Sequence, residues 1–237
     1  MKKLLALLLL LNHLQIDAQS IEMNKAQEEL YFLKESIQKY NPALPYYHPE
    51  FDSLSTRVID LAEKDSVSLF EHFTNVSRIC ALANEGHFKV GDRNDVFRKG
   101  ILENIFAYLP LQVKIISGRL FVVGDFSNEQ LLDRGDEIVA INGMPSTAIL
   151  KTLLELTPSD SHILTYAHRK IEDRFSSLYH FHIQQSDTFR ITLLNNNNLE
   201  RTVHITALVR ADQIDNLKKY YPTNNSQDSE KEEFYTL

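Results

Sequence analysis

The sequence predicts an α+β protein with a helical first part and a β-rich second part. Between residues 21 and 92 apolar side chains recur at three- and four-residue steps, the helical period. From Leu111 onward they alternate, the strand period. Ser117-Gly118 and Asn142-Gly143 punctuate the alternating runs with residue types that tolerate positive φ.

In the first part, Met23, Ala26, Leu30, Leu33, Ile37 and Tyr40 mark an amphipathic helix over 21–40. "NPALPYYHPEFD" breaks it with prolines. Asp52 or Ser53 is placed to cap a second helix that buries Leu54, Val58, Leu61 and Ala62. Ser68 and Glu71 have capping-box spacing, and the helix after them carries Phe70, Phe73, Val76, Ile79, Cys80 and Ala83 on one side. Gly86 is the expected C-terminal stop. "VFRKGILENIFAYLP" has room for a short helix that Pro110 ends.

In the second part, Leu111, Val113 and Ile115 point one way and Gln112 and Lys114 the other. The chain turns at Ser117-Gly118 and returns as "RLFVV". Gly135 allows a tight entry to a buried strand from Ile138 to Ile141, and Asn142-Gly143 turns the chain again. Ser146 is placed to cap a helix bearing Ile149, Leu150, Leu153 and Leu154. A further helix is expected around 167–179. Phe189, Ile191 and Leu193, then "NNNN", then Val203 and Ile205 read as a second hairpin. The acidic, polar tail reads as a linker.

Composition narrows the function classes. Hydrophobic residues make up 43% of the 237, enough to bury a core. A formal charge of −7 with no basic stripe argues against nucleic acid as partner. Lys2 and Lys3 ahead of the apolar run Leu4 to Leu11 read as an export signal with a cut after Ala18 or Gln19. The run is short of the ~20 residues that span a bilayer. The expected product is therefore periplasmic or secreted, with no stable membrane insertion; a short N-terminal anchor is the alternative. Cys80 stands alone, so no internal disulfide forms, and its apolar neighbours make it a core thiol.

"GDEIVAINGMP" (135–145) resembles the signature of PDZ domains: Gly-Asp, an apolar strand, Asn-Gly, then a helix. The resemblance implies a PDZ-like, partly open β-barrel with an inserted helix. It also implies a groove between a strand edge and the helix after the turn, to which an extended peptide adds itself as a strand. The candidate groove residues are Leu109, Leu111, Val113, Ile149, Leu150 and Leu153. Pro110, which has no N–H to donate, stands in the loop where the family carries glycines.

The wider order, an export signal, a helical unit ending in "LANEGHFKVGD", then "LPLQVKIISGRLFVVGDFS" and the PDZ-like motif, resembles the exported bacterial tail-specific, or C-terminal processing, serine peptidases. Glu85-Gly86-His87 is similar to that family's motif up to Phe88, which stands where the family has Thr or Ser. The resemblance implies a signal peptide at 1–19, a helical N-terminal domain at 20–92, a connector at 93–108 and a PDZ-like domain at 109–210. Residues 211–237 would be a linker or the truncated start of a catalytic domain, with "EFYTL" as its first strand. The family's Ser nucleophile and Lys base lie beyond the PDZ unit, so no catalytic residue is assigned. The reading is a non-catalytic, substrate-handling front half that binds a peptide or unfolded protein segment, with no cofactor and no metal.

Two alternatives come from other classes. One is a hydrolase using Ser117 or Ser161 with His162 or His168, none of which sits in a nucleophile elbow. The other is a structural or adhesion protein. His180-x-His182, with His162 or His168, is a possible metal set, but no acidic or Cys partner accompanies it, and a surface pair is the plainer reading. His87 is expected to satisfy carbonyls at a helix end. Asp136 is expected to fix its turn rather than act as an acid. Tyr46, Tyr47 and His48 either pack their loop onto the helices or form an aromatic contact surface.

Overall fold

The structure is a computed structural model and describes residues 20–60, 65–86, 88, 90, 106–159 and 163–222. The expected export segment, His87, residues 93–105 of the connector, Ser161, His162 and "EFYTL" lie outside the described residues. Among the described residues, no helix is long and apolar enough to cross a membrane. The chain divides into two compact units, residues 1–99 with 154–167 and residues 100–153 with 168–237.

In the first unit, β1 (Ser20–Glu22) pairs antiparallel with β2 (Ser66–Ser68), with Ile21 opposite Val67. Around this ribbon come α1 (Met23–Tyr40), α2 (Leu44–Tyr47), α3 (Phe51–Asp60) and α4 (Leu69–Leu82). Leu30 and Ile37 of α1 pack with Leu44, Phe51, Ile59, Ile79, Cys80 and Ala83 in one apolar core. The capping box forms as read: Ser68 Oγ accepts the Glu71 N–H, and a Glu71 carboxylate oxygen accepts the Ser68 N–H.

Local chemistry moves two boundaries. α3 begins at Phe51, ahead of the expected caps, because Phe51 itself is a core residue. Asp52 is thereby in the first turn, where it pairs with the buried Lys34 ammonium at 2.9 Å and accepts from Gln38. The left-handed residue after α4 is Asn84 (φ 46) rather than Gly86; asparagine tolerates that conformation. The loop aromatics separate: Tyr46 is exposed, while His48 Nδ1 meets Asn84 Nδ2 at 2.7 Å.

In the second unit, β4 (Leu111–Ile116), β5 (Arg119–Asp125), β6 (Glu137–Ile141), β8 (Thr188–Leu194) and β9 (Glu200–Thr206) form an antiparallel path in that order. The short β7 (Met144–Pro145) pairs with β6, and β3 (Ala107–Tyr108) pairs separately with β10 (Leu208–Val209). Among the described residues β4 and β9 end the path, so the expected partly open barrel is an antiparallel sheet that does not close. Most of α5 (Ser146–Glu155), α6 (Leu164–His182) from His168 onward, and α7 (Arg210–Tyr220) complete the unit's elements.

The alternation is realised: Leu111, Val113, Ile115, Phe189, Ile191 and Leu193 are buried, while Lys114 and Arg190 are exposed. Both turns have positive φ at both central residues, Ser117 (51°) with Gly118 (74°) and Asn142 (51°) with Gly143 (85°), as type I′ hairpins require. Asn142 also stitches β6 to β8, since its side-chain oxygen accepts the Arg190 N–H and its own N–H reaches the Arg190 carbonyl.

Residues 211–220, read as linker, are most of helix α7. Its buried side chains are amides. Gln213 donates to the Leu208 carbonyl and Asn216 to the Phe126 carbonyl, both at under 3 Å. A face that buries amides carries no apolar period, which hid this helix in the sequence.

Candidate functional site

A two-residue hairpin makes Ile116 and Arg119 partners, so alternate residues of β4 turn their N–H and C=O toward β5 and the others turn away. Leu111, Val113 and Ile115 are the residues that turn away. Among the described residues, β4 pairs with no strand on that side. An unpaired edge of this kind is where an extended peptide adds to a sheet.

Helix α6 reaches this edge with two side chains. Glu172 Oε1 accepts the Ile115 N–H at 2.9 Å. Glu172 Oε2 pairs with the Lys114 ammonium at 2.6 Å. One turn later, Ser176 Oγ donates to the Leu111 carbonyl at 3.0 Å. The Leu111 N–H turns back to the Leu109 carbonyl. Two outward groups of β4 are therefore held by helix side chains rather than by a strand.

The sequence explains why α6 lies so. Ile171, Phe175 and Tyr179 recur at four-residue steps and are buried, with Tyr179 edge-on to Phe189 of β8 at 5.8 Å. Glu172 and Ser176 sit one position further round and come to β4. The helix is broken between them, for Arg174 has non-helical φ −126° and ψ 20°. The helix around 167–179 was legible, but its two bonds to β4 were not. The only sequence signal is a polar pair at four-residue spacing beside an apolar stripe.

The six candidate groove residues are buried. Leu109, Leu111, Val113, Ile149, Leu150 and Leu153 are all 0–4% exposed. Their side chains are core, and the groups of β4 that face outward are backbone. Leu111 belongs to the α6-capped edge through its carbonyl.

Ser117 is exposed in the β4–β5 turn, and His168 is half-buried on α6. Hydroxyl bonds from Ser53, Ser55, Ser176, Ser177 and Ser186 go to backbone carbonyls. Burial pushes the Cys80 thiol up to about 11, which makes it a poor nucleophile. His180 and His182 sit in the last turn of α6. His180 is buried against the rings of Phe106, Tyr108 and Phe181 at 5.1, 4.9 and 5.2 Å. Among the described residues, no group of three or more His, Cys, Asp or Glu is placed to hold a metal ion. Asp136 is buried and accepts from Arg201 at 2.6 Å beside Gly135 (φ 97), a structural role.

No family model matches the sequence, and no curated protein matches it. Solved structures of CPAF, a chlamydial serine protease, are similar to it. A serine-to-alanine mutant of CPAF aligns with TM-score 0.56 and 17% identity, covering 78% of this chain and 34% of that one. Mature CPAF complexed with lactacystin gives 0.55 and 18%, over 78% and 35%. Mature CPAF alone gives 0.55 and 18%, over 78% and 34%. The chain thus spans about a third of the length of these structures, and at this identity the likeness shows a shared fold.

Proposed function

We propose that this chain is a substrate-handling part of an exported serine-peptidase-like protein of the tail-specific type. In this reading it binds extended peptide or unfolded protein segments through a PDZ-like unit and has no chemistry of its own. The observation that carries the proposal is the β4 edge. The edge belongs to the last strand of an antiparallel sheet, and side chains of α6 fill the bonds a further strand would make. The fold likeness to CPAF supports the peptidase setting. The apolar run after Lys2 and Lys3 supports export.

The test is a titration of the full chain with short extended apolar peptides, alongside incubation with unfolded casein. Edge addition predicts dissociation constants in the micromolar range, about −8 kcal/mol at 1 μM, and intact casein. Peptides with proline at alternate positions lack the donors for the edge and should bind far more weakly. Equal binding of both peptide sets removes the edge from the account. Casein digestion that tracks the purified chain replaces it with a hydrolase.

A further inference from the structure

Glu172 stands where a ligand would stand. Its two oxygens are divided between a backbone N–H, that of Ile115, and an ammonium, that of Lys114. This is how a docked carboxylate is recognised, by a main-chain donor for position and a cation for charge. The Glu172 side chain is 10% exposed and that of Lys114 is 49% exposed, so one flank of the cradle is open to water. Four residues on, Ser176 offers its hydroxyl to the Leu111 carbonyl, as an added strand would offer an N–H. Acceptor at one end and donor at the other reproduce, with side chains, what a peptide presents with its backbone and one acidic group.

We propose that α6 is a displaceable cover on the β4 edge, and that the Ile115 N–H with the Lys114 ammonium is a carboxylate subsite for an Asp or Glu side chain of the bound peptide. Glu172 holds the subsite until that side chain arrives. This inference rests on the strand-edge reading of the function. It places acidic recognition at the end of β4 remote from Pro110. The break at Arg174 divides the cover between its two contacts, so Glu172 can leave while Phe175 and Tyr179 keep their places. Burial of Ile171 keeps the cover closed when no peptide is present.

The experiment titrates the full chain, its Glu172→Ala variant and its Ser176→Ala variant with two matched extended apolar peptides, one with a central Asp and one with Asn in its place. A melting curve for each protein confirms that it is folded. Both variants should bind the Asp peptide more tightly than the parent does, Glu172→Ala by about tenfold. Glu172→Ala should prefer Asp to Asn by about fivefold at low salt, and the preference should shrink at high salt. It should vanish when Lys114→Met is added. Equal affinity of parent and variants overturns the cover and leaves the edge reading standing. Tighter binding by the variants without an Asp preference overturns the carboxylate subsite. Failure of either folded variant to bind any peptide overturns the edge reading itself.

Discussion

The Ile115 N–H donates to the Glu172 carboxylate across 2.9 Å and 57 residues of sequence. A strand-edge amide thus takes its bond from a helix side chain, in a place where sheets usually find another strand or water. Such a bond is local and removable, and it can be read one amide at a time.

Replacing Glu172 with Gln keeps the shape and removes the charge. A hydrogen bond to a charged group is worth about 1.5–3 kcal/mol and a neutral one about 1. The Ile115 amide should therefore exchange with solvent about tenfold faster in Glu172→Gln, read by hydrogen exchange and NMR. Lys114 and Ile116 face β5 and should keep their protection. A uniform loss along β4 would show that the change had loosened the hairpin instead.

Ser68→Ala removes the acceptor that holds the Glu71 N–H at the start of α4. A lost cap costs about 1 kcal/mol. Urea unfolding followed by circular dichroism should show that loss, with an unchanged slope. An unchanged midpoint would mean that water satisfies this end of the helix equally well.

Arg201 pairs with both Asp133 and Asp136, whose side chains are 84% and 4% exposed. Only the second bond is sheltered from water. Arg201→Met leaves the Asp136 carboxylate buried without its cation and should lower stability by about 2 kcal/mol. Asp133→Ala should change it by less than about 0.5 kcal/mol. Equal effects in urea unfolding would contradict the asymmetry.

Burial holds the Cys80 thiol up at about 11 and the Tyr179 hydroxyl up at about 12. Both groups are neutral when buried, and both ionise more readily in the unfolded chain. Their contribution is full below the unfolded values and is lost as pH rises through 9 toward 11 and from 10 toward 12. Stability should therefore fall on the alkaline side. Cys80→Ala, which cannot ionise, should lose about 2 kcal/mol less than the parent between pH 9 and 11. Identical alkaline slopes in urea unfolding would place that thiol in water.

The sequence carries most of this fold because the fold is built on apolar periods and turn chemistry. Leu111, Val113 and Ile115 announced β4, and Ser117-Gly118 and Asn142-Gly143 announced its neighbours' turns. The capping pair Ser68 and Glu71 marked the start of α4. What stayed hidden rests on polar groups in tertiary contact. Gln213 and Asn216 build the buried face of α7 from amides, and Glu172 and Ser176 reach β4 from a helix distant in sequence. Ile149, Leu150 and Leu153 were visible as an apolar helix face, and all three are buried, but an apolar period alone does not separate a groove wall from a core. Asn84 replaced Gly86 as the helix stop because either residue type accepts positive φ.

The most direct measurement is a titration of the 15N-labelled full chain with an extended apolar peptide, followed amide by amide. The account predicts that the Val113 and Ile115 signals move first, together with the α6 amides around Glu172 and Ser176. Shifts gathered instead around the exposed rings of Phe32, Tyr40 and Tyr46, with β4 unmoved, would contradict it.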